Sequence, residues 1–447
     1  MKRVFLSKYS ITNFITYTII AVSTFSFILS LDFSNANYIL VFCLLLIGVI
    51  SFFNIIACKK NVSIRRTIYI FIYFFCFMAP IQQYTSGTTF WKSTGLKVMY
   101  TDKDYLRAAI AVLIYILFFE IGYRFQILRL KKGKQETVGF NVPRYFKSNT
   151  FNILLLVSTI SFLILLGTNN ITESNRILSR VEVDVQFINV LRYTVVCSLL
   201  VALVHCKRYG YTNKIFYVLV IGVETLVIFF PFWGSMPRYI LLGTYVVFYS
   251  FFFSKSRYKS MYFLIFFLGF GFTFSGIRSS DSIHSIMNDV VFNFNHVDFD
   301  AFQMLMGCFK YVEKNGVCYG KNIISALLFL LPRSIWKGKM ENTGSLIARY
   351  FGSWHENVSA PIVAEFYFVG GWLAIILLSI MFGEIIKKMD AFDNDEYCFK
   401  KIVFCLFAGM MIYMQRGSLL ATFAFTGGLL VATLFVNILC RVRMKLT

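Results

Sequence analysis

Apolar runs of membrane-crossing length, repeated along almost the whole chain, restrict this sequence to one class of fold. Six lie near residues 11–31, 37–58, 66–83, 106–127, 150–167 and 187–206, and six more near 214–231, 239–254, 260–276, 362–382, 401–415 and 418–439. A helix needs roughly 20 apolar residues to cross the hydrocarbon, and only helices and closed barrels satisfy their own backbone there. The pattern predicts an all-α polytopic membrane protein with about 12 transmembrane helices. Composition agrees, because 57% hydrophobic and 15% charged residues in a chain of 447 lie outside the range of soluble domains. The first run is too long for the apolar core of a secretory signal, lacks a small-residue cleavage site and is soon followed by another run, so it is expected to stay in the mature protein.

A formal net charge of +22 would suggest nucleic acid in a soluble protein. No basic motif interleaved with aromatics supports that partner here. The cations instead alternate with the runs. Lys59, Lys60, Arg65 and Arg66 follow the second run, Arg129, Lys131, Lys132 and Lys134 the fourth, and Lys207 and Arg208 the sixth. Lys255, Arg257 and Lys259, then Lys387, Lys388, Lys400 and Lys401, then Arg441, Arg443 and Lys445 continue the series. The positive-inside rule therefore predicts cytoplasmic termini and places the long polar interruption, residues 275–361, outside the cytoplasm. The same cations favour anionic membrane lipids.

We read residues 1–447 as one membrane domain and 275–361 as an inserted extracytoplasmic subdomain. Apolar spacing predicts a helix over His296–Val312. The stretch Ile323–Leu331 is apolar but too short to span, so it should lie at the outer interface or re-enter, with Pro332 ending it and presenting Arg333 at its edge.

Charges near the outer ends of spans need a partner or a wet cavity. Arg238 in PFWGSMPR, Arg278 in SGIRSS and Arg416 in QRGS are such charges, and each alone also suits an interfacial arginine bound to lipid phosphate. Together with Arg333 and Lys339 in LPRSIWKGK they form a candidate site for a diphosphate, because guanidinium groups grip phosphate oxygens in pairs. Candidate catalytic groups are His355 in GSWHEN, Glu365 in APIVAEFYFVGGW, and the pair Asp281 and His284, in which a carboxylate can orient an imidazole for base work. His296, Asp298 and Asp300 make a weak divalent-metal pattern, since residues two apart share no helix face. No metal and no cofactor is expected. The acidic run from Asp390 to Glu396 reads as a solvated cytoplasmic loop. Cys308 and Cys318 fall outside the cytoplasm, where either a disulfide or two thiols is possible.

Many spans, one large late outer loop, outer arginines, and the segments LPRSIWKGK and AEFYFVGGW together resemble the Wzy-type O-antigen or oligosaccharide repeat-unit polymerases. Met340 stands where that family commonly has a proline after the lysine, and Phe368-Val369 replaces its usual asparagine-phenylalanine pair. Glu365, Tyr367, Gly370 and Gly371 match its acidic residue, aromatic and small-residue turn. The resemblance implies a membrane fold related to the C-type glycosyltransferases and an enzyme of the bacterial cytoplasmic membrane with its active site outside. It also implies polyprenyl-diphosphate-linked oligosaccharides as substrates, arginines near the diphosphate, and a chain-length regulator and a flippase as partners.

The related O-antigen ligases use the same chemistry and a histidine shortly before a late span, a position His355 matches. A metal-dependent C-type enzyme should show adjacent acids in its first outer loop, which offers only Asp32. A flippase or transporter should bind its cargo near mid-membrane. There the notable charges are only Glu120 and Glu224.

Overall fold

The structure, a computed structural model, describes residues 8–87, 100–125, 259–276, 294–295, 297–331, 333–353, 356, 358–392 and 399–424, with 426, 427, 430, 431 and 434 of the last helix. The expected spans at 150–254, together with Arg238, Arg278, Asp281, His284, His296 and His355, lie outside the described residues.

Every regular element among the described residues is helical. The long ones are α1 (Lys8–Leu29), α2 (Tyr38–Ala57), α3 (Ile64–Tyr73) and α4 (Ala79–Thr85) joined by a π turn at Phe74–Met78, α5 (Asp102–Phe125) and α6 (Lys259–Gly276). The polar interruption contributes α7 (Ala301–Asn315), α8 (Lys321–Leu327) and α9 (Thr343–Tyr350). Two more follow, α10 (Ile362–Ala391) and α11 (Phe399–Arg416), and a last helix begins at residue 419. Five helices are long and apolar enough to cross a bilayer: α1, α2, the α3–α4 rod, α5 and α10. The protein is a helical membrane protein.

Sequence explains how the helices are ordered. The α3–α4 rod is buried on nearly every side, its few polar side chains included, and is therefore central. Ile68, Tyr69, Phe71, Phe74, Phe75 and Met78 are all buried, and α2, α10 and α11 pack around the rod. By contrast α1 and α2 leave Phe14, Ile19, Phe25, Ile39, Phe42 and Phe53 exposed, as lipid-facing surfaces do. Among the described residues, α5 and α10 approach each other closely. A Cβ on Gly122 would collide with the Ile380 carbonyl, and one on Gly383 with the backbone of Phe119 and Tyr123. Small residues let these two backbones touch, which is how helices gain packing where hydrocarbon supplies no hydrophobic drive.

The helix expected over 362–382 runs on to Ala391, and its last turn corrects the reading of Asp390 as part of a solvated loop. Asp390 is 4% exposed. Its carboxylate accepts bonds from Ser63 Oγ (2.7 Å), the Ile64 amide (2.7 Å) and Tyr123 Oη (2.9 Å). The amides that start α3 are unpaired within the helix, and they and the helix dipole attract an anion. Asp393 to Glu396 lie outside the described residues. Glu120 is likewise no lone mid-span charge. It belongs to the same end of the bundle, 2.8 Å from Arg65 Nε and 2.7 Å from Arg124 Nε, with Tyr69 Oη donating at 2.6 Å.

At the opposite end α10 is broken. Gly370 and Gly371 leave helical geometry, and Gly371 has φ of +69°, a left-handed conformation that glycine adopts without a Cβ penalty. The short piece before the break carries Glu365 and Tyr367, and the Phe368 carbonyl turns to accept the Cys318 amide at 2.8 Å.

Candidate functional site

Among the described residues, Asn322 and Thr343 of the interruption meet at Glu365, in the first turn of α10. Glu365 is 0% exposed. Its Oε2 accepts from Asn322 Nδ2 of α8 (2.7 Å) and from Thr343 Oγ1 of α9 (2.9 Å), and its Oε1 from the Leu419 amide (2.9 Å). One carboxylate thus binds both limbs of the segment that carries LPRSIWKGK, together with the turn after α11. Cys318 Sγ donates to Asn322 Oδ1 at 3.1 Å, which turns the amide's NH₂ toward Glu365. With both oxygens occupied by neutral donors and no exposed surface, Glu365 ties the three segments together at this end.

Beside it Asp300 ties the loop to α11. Arg416 Nη2 lies 2.8 Å from Asp300 Oδ1, Arg416 Nε donates to the Asp298 carbonyl (3.1 Å), and the Ser359 amide donates to Asp300 Oδ2 (2.8 Å). The helix expected from His296 accordingly starts later, at Ala301, after a single 3-10 turn at Val297–Phe299. Asp300 binds a guanidinium and an amide, and no cluster of three or more metal-ligating side chains occurs among the described residues.

Lys339 is buried, and its ammonium donates to the Phe329 and Leu331 carbonyls, both at 2.8 Å. Sequence expectation gave it an anionic ligand. The two carbonyls it meets lie where the helix expected over Ile323–Leu331 has already ended, at Leu327. Arg333 stays accessible, with Nη1 3.7 Å from Glu341 Oε1.

Arg349, to which no sequence motif points, forms the centre of an exposed rim. It donates to Glu341 Oε2 (2.9 Å) and grips Glu356 with Nε and Nη2 (3.1 and 2.7 Å). This contact holds the Glu356 carboxyl below its usual range and raises the Arg349 guanidinium further. Its partners lie eight residues before and seven after it across irregular chain, so no helical spacing rule reveals them. Glu356 is the immediate neighbour of His355 in sequence.

Cys308 and Cys318 are free, buried thiols. Cys308 Sγ donates to the Ala364 carbonyl at 3.4 Å. On α5, Arg107 sits over the rings of Phe309, Tyr367 and Trp372, donates to Tyr367 Oη (2.7 Å) and pairs with Glu313. These contacts lock α5, α7 and the short piece of α10 into one cap.

Chemically, this end offers accessible guanidinium groups already bound to carboxylates, on a scaffold in which the buried Glu365, Asp300 and Lys339 are each hydrogen-bonded. Carboxylate and phosphate oxygens present the same acceptor geometry to arginine, so such a rim suits a phosphorylated ligand. No family model, no curated protein and no solved structure matches the chain.

Proposed function

We propose that the chain is a membrane glycosyltransferase that polymerises polyprenyl-diphosphate-linked oligosaccharide repeat units at the outer face of the bacterial cytoplasmic membrane. In this reading it has twelve spans, cytoplasmic termini and a fold related to the C-type glycosyltransferases. One observation carries the proposal: Glu365 of AEFYFVGGW bonds to residues on either side of LPRSIWKGK and to the turn that follows Arg416. That the segments carrying the family resemblance, distant in sequence, are brought near one another by these bonds supports this reading.

A diphosphate is already a weak base, so its departure needs neutralised charge more than a proton, and preorganised cations supply that. Arg333, Arg349 and Arg416 are the described candidates, and Arg238 and Arg278 are the candidates that the sequence adds. Glu341 and Glu356 hold the rim arginines until phosphate oxygens replace their carboxylates. The incoming sugar hydroxyl must lose a proton to a base within hydrogen-bond reach. His355 is assigned that role, with the Asp281–His284 pair as the second candidate, and Glu365 positions the site.

The test is the glycan left by a deletion strain. Loss of this chain should convert long surface glycan into single exported repeat units. Units that accumulate on the cytoplasmic face would instead make the protein a transporter.

A further inference from the structure

We propose that residues 321–340 form a re-entrant hairpin, immersed in the leaflet at the Glu365 end of the bundle, with lipid hydrocarbon as the occupant of its exposed apolar side. The first reason is what it exposes. Ile324, Leu327, Leu328, Leu330 and Ile335 are 49%, 61%, 44%, 53% and 74% exposed within a stretch of twelve residues. Apolar surface this concentrated marks an interaction site.

Depth is the second reason, and it selects the occupant. The Phe329 ring lies so close to Gly427 that a Cβ there would collide with it. Gly427 is eight residues into the helix that starts at 419, about 12 Å below its end at 1.5 Å per residue. A hydrocarbon half-thickness is about 15 Å. On the twelve-span reading proposed above, in which this last helix crosses the bilayer, the tip of the hairpin therefore lies beside the membrane-buried part of a span.

The third reason is how the backbone is satisfied, since unpaired carbonyls in hydrocarbon cost several kcal/mol each. The Ile324 and Leu328 carbonyls accept from the Leu328 and Leu331 amides, at 2.9 and 3.0 Å. Where the helix has ended, the Lys339 ammonium reaches up from the returning limb to the Phe329 and Leu331 carbonyls. The Met340 amide donates to Ser325 Oγ across the two limbs (3.0 Å). Asn322 and Thr343 pin the base of the hairpin to Glu365. Arg333 turns back toward Glu341, as a cation at a hydrocarbon edge does when it snorkels.

The full-length protein in vesicles of phosphatidylethanolamine and phosphatidylglycerol provides the test. A genetically encoded nitroxide side chain is placed at Leu327, Leu330 or Ile335, with Phe42 on lipid-facing α2 and Tyr319, 85% exposed before the hairpin, as references. Collision with dissolved oxygen should match Phe42, and collision with a water-soluble nickel complex should fall several-fold below Tyr319. Nickel access equal to Tyr319 would overturn the proposal. So would spin–spin broadening at Leu330 that disappears on dilution with unlabelled chain, because a second copy would then be the occupant. The native side chains give an independent reading: lipids brominated on the acyl chain should quench the fluorescence difference between the native protein and W336F, and no quenching would equally overturn it.

Discussion

Arg416 and Asp300, 116 residues apart in sequence, meet at 2.8 Å with the carboxylate fully buried. Removing one partner of a buried pair leaves the other uncompensated, at about 3–5 kcal/mol. D300N should therefore lower the thermal unfolding temperature in detergent markedly, and D300N combined with R416Q should cost less than the two single losses added. Strict additivity would show that the two side chains do not support one another.

Glu365 separates positioning from base catalysis. In E365Q one of three donors meets an NH₂ group instead of an oxygen, an unsatisfied buried contact worth about 1–3 kcal/mol. The base of the hairpin should loosen, so trypsin should cut after Arg333 or Lys337 faster than in the native protein. Lost glycan synthesis with unchanged cleavage would point to a direct chemical role.

The close approach of α5 and α10 predicts that G383V destabilises by about 1–3 kcal/mol through overpacking. The side chain would meet the backbone of Phe119 and Tyr123, which cannot rotate away. Unfolding in detergent measures it, and Leu377→Val, at an exposed position on the same helix, serves as the neutral control.

At the other end of the bundle, D390A removes the anion at the start of α3. Loss of a helix cap costs about 1–2 kcal/mol. Because Tyr123 and Ser63 lose the same partner, the effect should exceed that of S63A when both are compared by thermal unfolding.

Activity follows from the proposed chemistry. Loss of one charge-stabilising donor costs on the order of 10²- to 10³-fold in rate, and lysine restores little where a two-pronged grip is used. R278K, R333K and R349K should each remove most long-chain glycan at normal protein levels. H355A should do so without weakening donor binding. Near-normal chain length in all four would take these residues out of the mechanism, and synthesis abolished by EDTA and restored by Mg²⁺ would bring in a metal.

The described spans were legible in the sequence because each is a long apolar run, and composition alone decides membrane entry. Helix limits inside the interruption were less so. The segment before Ala301 is held by Arg416 and Ser359, and the end of α8 by Lys339, contacts no local pattern encodes. Asp390 misled for the same reason: an acid in an acidic run looks solvated until Ser63, 327 residues away, is found against it. Arg416 and Arg333 were legible as charges beside spans, but the ion pairs they make were not. Arg349 escaped notice because both of its partners lie beyond a helical turn.

The backbone break at Gly370 and Gly371 gives α10 a joint. The long arm below it is fixed by its glycine contact with α5 and by Asp390, and the short arm above it is fixed by Asn322, Thr343 and Arg107 through Glu365 and Tyr367. Because α5 holds the long arm through Gly122 and Gly383 and the short arm through Arg107, which also lies over Trp372 beyond the break, the bend is held at one angle from outside although its two residues have no side chain. The sharp change of helix direction thereby becomes a fixed corner that sets Glu365 at a constant distance from α5.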